Sequence, residues 1–553
     1  MKIVIIGGVA GGASAAARAR RLSEDAEIII LERGRYPSFA NCGLPYYVGG
    51  EIKSRDKLLV APIEMLRVRH RLDVRIRSEV MSINRIEQTV RVQNLDTGES
   101  YEESYDKLII ATGASPFRPP VPGIDGSRIL ELRDLDDADR MHAYATSGAR
   151  RAVIVGAGFI GIEVAENLVR RGIHVTIVEL SDQILPPWDR EMIGTIDSHL
   201  RKQGVVVHLG NSVEAFDETD SGLTIRLKSG GTLDVDFAIV SIGVRPESRL
   251  AQDAGIECGE RGGIITNKHM QTNDENVYAV GDVVQTSCFV SNRPIQIPLA
   301  GPANRQGRIA ADHLFGRDST YRGTQGTAVV GIFGMTAAMT GLSEKSLKRN
   351  QLAYEKIYIH PSDHAGYFPD AQQMMLKLLF DPKTGIILGA QGVGTTGVDK
   401  RIDVLAIAIQ AGMTVYDLEE VELCYAPQYG HAKDPINMLD FVASGVLRGD
   451  QPIIQVDTLS SYSAESLLLL DVRTAAEFAA GHIPGAKNIP IETLRERVSE
   501  LPHDRKIATY CKVGQRGYYA TRILDQLGFE AANISGGYQL WSNYSAHDNN
   551  ATD

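Results

Sequence analysis

MKIVIIGGVAGGASAAARARRLSEDAEIIILER, residues 1–33, decides the fold. Lys2–Ile6 is an apolar run, Gly7–Gly12 a glycine loop, Ala13–Leu22 an alanine- and arginine-rich helix, and Glu27–Leu31 a second strand ending at Glu32. Strand, loop, helix, strand and acid bring the amides of a helix N-terminus up to a pyrophosphate and a carboxylate up to a ribose hydroxyl. A tight strand–helix turn would account for the glycines alone, but the flanking elements favour a dinucleotide site. Gly7, Gly8, Gly12, Glu32 and its neighbour Arg33 are the candidate residues, with Val9 standing where a second glycine is usual.

The same grammar returns at 150–180. Ala152–Val155 leads into GAGFIG, then a helix around Ile162–Arg171, then His174–Val178 ending at Glu179. This loop is complete, with Gly156, Gly158 and Gly161 in place. An acid at 179 accepts from a 2′-hydroxyl and repels a 2′-phosphate, and Leu180, not a cation, follows it; NADH is expected over NADPH. Two such units imply an α/β chain with two dinucleotide-binding, Rossmann-like domains.

At 553 residues the chain exceeds one hydrophobic core. Net charge is −11, which excludes a binder relying on nucleic-acid phosphate neutralisation. Five cysteines, an odd number, give no disulfide framework and suit a reducing compartment. The apolar N-terminus becomes a glycine loop before any cleavage-type region, and no window approaches ~20 uninterrupted apolar residues. A cytoplasmic protein without a membrane span is expected.

DKLIIATG at 106–113, which supplies Thr112 and Gly113, and YAVGD at 278–282, which supplies Gly281 and Asp282, complete a pattern. Residues 1 to about 445 resemble the pyridine nucleotide–disulfide oxidoreductases. The resemblance implies an FAD-binding domain at 1–115 and 245–324, an NAD(H)-binding domain at 116–244 and an α+β dimerisation domain at 325–447. It implies FAD and NADH as cofactors, a homodimer, and an Asp282 that meets the flavin's ribityl or phosphate region; Asp282 can also cap the next helix.

SFANCGLPYY places Cys42 among Ser38, Asn41 and Gly43, and Tyr47 occupies the position of the second cysteine in two-cysteine members. Cys42 therefore works alone, alternating between thiolate and a mixed disulfide, persulfide or sulfenate. The peroxide- and oxygen-reducing branch usually has a histidine in its first glycine loop, and this loop has none. The segment instead resembles the CoA-disulfide reductases and NADH-dependent persulfide reductases. That resemblance assigns Tyr367 (HAGYFP) and Tyr425 (YAPQYG) as catalytic-site phenols, although Gln428 replaces a usual proline, and Lys433 (HAKDPIN) as a CoA contact. The bland alternative for the tyrosines is aromatic packing. CoA carries phosphates, and Ser14, Arg18 and Arg21 share one helix stripe; Arg69, His70 and Arg71 form a second patch. Arginines on a helix face are more often simply solvated.

LLLLDVRTAAEFAAGHIPGAKNIP and IATYCKVGQRGYYAT resemble a rhodanese domain over 463–545, after a linker at 448–462. Cys511 would hold transferable sulfur inside a six-residue loop closed by Arg516, where loop amides and a helix N-terminus lower a thiol's pKa. A seven-residue loop would resemble the phosphatase version instead. Fusion of the modules suggests a sulfur relay from Cys511, by way of CoA or another small thiol, to Cys42, with hydrogen sulfide as product. The alternatives are a CoA-disulfide reductase with an accessory rhodanese, and a flavin redox sensor or scaffold. Cys258 and Cys288 read as packed thiols, Cys424 as a neighbour of the site. His360 and His364 lie in a loop without a third ligand, so no metal is expected. The tail at 545–553 reads as disordered.

Overall fold

The computed structural model describes residues 1–220 and 222–550, the side chains of 546–550 excepted. The chain divides into two compact units, Met1–Ile184 with Gly204–Thr324, and Leu185–Gln203 with Gln325–Asp553.

The first unit holds two five-stranded parallel sheets. In one, the order is Val277–Ala279, Lys107–Ile110, Lys2–Ile6, Glu27–Leu31, Asp73–Arg75. In the other it is Val206–His208, His174–Val178, Arg151–Val155, Phe237–Val240, Ile129–Leu130. Strands buried on both faces read as continuous apolar runs, and Ile3, Val4, Ile5, Val153 and Ile154 are all fully buried. Each central strand runs into its glycine loop and then a helix, Ala10–Leu22 or Phe159–Arg170. Both helices start three residues earlier than the sequence pattern predicts, because the loop's own last residues form the first turn.

The second unit contains an antiparallel sheet in the order Ala328–Ile332, Met335–Gly341, Ile387–Gly394, Met375–Phe380, Glu355–Ile359, with helices Val398–Ala411 and Pro435–Arg448. The helix Arg190–Lys202, which follows the second nucleotide-type strand in sequence, belongs here. A buried ammonium explains why. Lys377 Nζ lies 2.8 Å from Asp189, 2.5 Å from Glu191 and 2.8 Å from Glu344. This trio is the only metal-type cluster among the described residues, and it closes around a lysine.

The unit also contains a parallel sheet, Ile453–Ile454, Ala531–Ile534, Lys506–Tyr510, Leu467–Asp471, Lys487–Asn488. The stretch expected as a free linker is thus structured: Ile453–Ile454 forms the sheet's edge, and Lys356 Nζ lies 2.7 Å from Asp457. Its two isoleucines cap an otherwise open strand. The expected disorder at the C-terminus is corrected as far as Asn550 by the helix Gly537–Asn550; residues 551–553 lie outside the described residues. Among the described residues no helix is long and apolar enough to cross a membrane.

Candidate active site

The two glycine loops are built alike. Gly7 N–H donates to Leu31 O and Gly156 N–H to Val178 O. A Cβ on Gly12 or Gly161 would strike the carbonyl oxygen of Gly7 or Gly156 at 1.9 and 2.1 Å, so only glycine lets the helix close on the strand. At Gly158 a Cβ would meet nothing within 4 Å; that face of the loop is open for a phosphate. The two acids first serve their loops. Glu32 accepts from the Gly8 and Gly34 amides, both at 2.7 Å, and Glu179 from Ala157 at 2.7 Å and Ser181 at 2.8 Å. Each carboxylate oxygen keeps a second lone pair for a ribose hydroxyl. The donor sets fit two dinucleotides. Arg33 lies 3.5 Å from both Glu79 and Glu247, Thr112 Oγ1 donates to Glu247 O, and Gly113 O accepts from the Glu247 amide.

Cys42 occupies the short turn Asn41–Gly43, which enters the helix Leu44–Gly49. The segment is pinned to the first glycine loop through Ser38, whose N–H donates to Gly8 O at φ +53°. Asn41 Nδ2 donates to Arg133 O. Cys42 is open to solvent and has no disulfide partner. Tyr47, where a second cysteine would stand, stacks on His142 at 4.8 Å and donates to Asp139.

Sequence reasoning missed Glu163. The helix Phe159–Arg170 packs on Leu44–Gly49, and Tyr46 Oη donates to Glu163. Crowding around Cys42 pushes its thiol pKa up, and the charges of Glu163 and Asp282 push it further. Burial in turn raises Asp282 to about 6. Glu163 carried no signal beyond its place in an amphipathic helix.

The basic stripe is partly engaged elsewhere. Arg18 pairs with Asp312 at 2.6 Å, and Ser14 Oγ donates to Asn304, both on the helix Ala300–Leu314. Arg21 remains exposed. His70 is half-buried, its carbonyl accepting from Arg20; Arg71 pairs with Glu24.

In the second unit, Tyr367 and Tyr425 meet, hydroxyl to hydroxyl, at 3.0 Å, 77% and 47% exposed. Their loops are tied by Arg401, which is buried: its guanidinium donates to Asp363 O at 2.7 Å and pairs with Asp434 at 2.9 Å. The Ala365 amide adds bonds to Pro427 O and Gly430 O. Lys433 is exposed just before Asp434. His364 is held by Asp363 and Pro369 O, whereas both ring nitrogens of buried His360 lack a hydrogen-bond partner among the described residues.

Cys511 ends the strand Lys506–Tyr510 and is buried, its sulfur accepting from the Gly514 amide at 3.2 Å. Arg516, at the start of the helix Gln515–Gln526, is gripped by Glu477 through two bonds of 2.9 and 2.7 Å. Arg473 of the quoted DVR is structural: it pairs with Asp471, lies over the Tyr510 and Tyr538 rings and donates to Gly481 O.

Residues 1–307 match the family described as pyridine nucleotide-disulphide oxidoreductase, 327–433 its dimerisation domain, and 456–544 the rhodanese-like domain. Among curated relatives, a coenzyme A disulfide reductase of Staphylococcus haemolyticus is 35% identical over 444 residues, 80% of this chain and 99% of that protein. Among solved structures, reduced Bacillus anthracis CoADR-RHD is 46% identical with a TM-score of 0.96, covering 98% of each chain. A NAD-dependent persulfide reductase from A. fulgidus is 37% identical with a TM-score of 0.91, covering 98% of this chain and 100% of that one.

Proposed function

Because the chain belongs to the pyridine nucleotide-disulphide oxidoreductase family, we propose that it is an NADH-dependent flavoenzyme reducing persulfides or polysulfides, CoA persulfide above all, and releasing hydrogen sulfide. The observation that carries this is a solvent-open Cys42 with no partner cysteine, in a chain that matches a persulfide reductase along its full length.

When bound, FAD supplies two-electron transfer between a nicotinamide and a sulfur centre. Gly7, Gly8, Gly12, Glu32, Arg33, Thr112, Gly113, Gly281 and Asp282 would hold it, and Gly156, Gly158, Gly161 and Glu179 would hold NADH. The Cys42 thiolate attacks the inner sulfur of CoA persulfide. The Cys42–CoA disulfide bond forms, the sulfur–sulfur bond of the persulfide breaks, and hydrosulfide leaves with the electron pair. Two electrons then free the CoA thiolate and return Cys42. Glu163 and Asp282 disfavour the Cys42 thiolate. In a cytoplasmic homodimer the Tyr367–Tyr425 pair would serve the partner's Cys42, its phenols donating to the departing sulfur. Arg21, His70 and Lys433 are the accessible candidates for CoA phosphates, with Ser38 and Asn41 shaping the turn beneath. Cys511 would carry sulfane sulfur to the small thiol.

A second reading, CoA-disulfide reductase, is favoured by the 35% identity to a protein of that name over 444 residues, 80% of this chain. Both substrates give the same Cys42–CoA disulfide and differ only in the group expelled. Steady-state NADH oxidation with CoA persulfide and with CoA disulfide separates them: a disulfide preference above about tenfold, ~1.4 kcal/mol of transition-state binding, would reverse the choice.

A further inference from the structure

We infer that Glu477 sets the donor preference of Cys511, by occupying the guanidinium fork of Arg516 so that the loop takes sulfur from persulfides and polysulfides and turns away thiosulfate. The inference rests on the reading of Cys511 as a sulfur carrier and names the class of donor for that site.

Glu477 is fixed from two sides. In the short helix Ala475–Ala479 its Oε2 accepts from the Thr474 amide at 3.0 Å and the Thr474 hydroxyl at 3.1 Å. The same oxygen accepts from Arg516 Nη1, and Oε1 from Nη2, a bidentate pair with little freedom left. Those hydrogen bonds hold the Glu477 carboxyl at about 2, so the pair stays ionised at neutral pH. The Glu477 hydrogen bonds, with Cys511 nearby, also raise the Arg516 pKa. The planar fork that would otherwise grip an oxyanion bidentately holds a carboxylate. Lys512 is the loop's other cation and is exposed.

The two donor classes place different demands on this loop. Thiosulfate brings a sulfonate end: the Cys511 thiolate attacks its outer sulfur, the new sulfur–sulfur bond forms, the old one breaks, and sulfite leaves as a dianion. That dianion needs the donors Glu477 has taken. An organic persulfide transfers its outer sulfur in the same way but expels a single-charged thiolate, which needs no bidentate grip. With Glu477 in place the persulfide path is served and the thiosulfate path is not.

The test uses the full-length protein as wild type, Glu477→Gln and Glu477→Asp. The rate at which Cys511 gains one sulfur atom is followed by rapid alkylation and peptide mass spectrometry, with thiosulfate and with glutathione persulfide as donors. The readout is the ratio of the two rate constants within one preparation, so a loss of folded protein cancels. Wild type should favour the persulfide. Glu477→Gln should shift the ratio toward thiosulfate by about tenfold or more, with the change in the concentration dependence for thiosulfate, and Glu477→Asp should stay near wild type. A ratio in Glu477→Gln within twofold of wild type, or a wild type that prefers thiosulfate, overturns the inference. Sulfur gained from neither donor overturns the sulfur-carrier reading along with it.

Discussion

Replacing Lys377 with methionine tests whether the second unit is organised around its buried ammonium. Lys377 is fully buried with three carboxylates at 2.5–2.8 Å, and Glu344 also meets Lys348 at 2.8 Å and Lys356 at 3.1 Å. Burial pushes the Glu191 and Glu344 carboxyls up, but the Lys377 charge more than reverses this and holds both low. Methionine keeps the packing volume and removes the one charge that all three carboxylates share. Removing one partner of a buried pair costs ~3–5 kcal/mol, or roughly 10 °C in melting temperature for a unit of this size. Both tryptophans, Trp188 and Trp541, lie in this unit, so intrinsic fluorescence reports its melting. The pH dependence has a fixed sign. In wild type the depressed carboxyls stabilise above their unfolded pKa, and that stability is lost as pH falls through the folded values. In Lys377→Met the carboxyls are raised, so its penalty is full at pH 8 and shrinks toward pH 5 as they protonate. A variant melting within about 2 °C of wild type at pH 8, or a gap that fails to narrow at pH 5, would refute the reasoning.

Two further predictions follow from titratable groups. Glu163→Gln removes a charge that opposes the Cys42 thiolate, so the pH midpoint of Cys42 alkylation by iodoacetamide should fall; an unchanged midpoint means that Glu163 does not contribute. Burial, with Lys512 adding to it, lowers His360 to about 4, so the folded protein loses up to ~3 kcal/mol as pH falls from the ordinary histidine value near 6.5 to 4. His360→Leu should leave stability at pH 7 intact and flatten this acid slope in urea unfolding, and identical slopes would exclude it.

The nucleotide halves were legible because their geometry is local. The glycines, the strand that precedes them and the acid that follows lie within some thirty residues, and steric demands such as the contact of Gly161 with Gly156 leave a direct trace in sequence. The lone Cys42 was legible for the same reason. Glu163, Arg401 and Lys377 were not, since each acts on groups far off in the chain: Glu163 on Cys42, Arg401 on Asp363 and Asp434, Lys377 on Asp189, Glu191 and Glu344. A lysine inside MMLKLLF gives no hint of what neutralises it. The partner of Arg18 was hidden for the same reason: a helix nearly three hundred residues later supplies Asp312.

The edge strand Ile453–Ile454 has a practical bearing on anyone who dissects this chain. It joins the Cys511-bearing sheet from upstream, pairing with Asn533 and Ile534, while Asn533 and Ser535 donate to the carbonyls of Pro452 and Ile454. A scission at the composition boundary near 462 would strip off a lamina and leave Ala531–Ile534 raw, with unpaired amides ready to recruit another molecule. An excised sulfur-transfer module should therefore begin ahead of Pro452, with the short segment that looks like tether retained as part of the sheet.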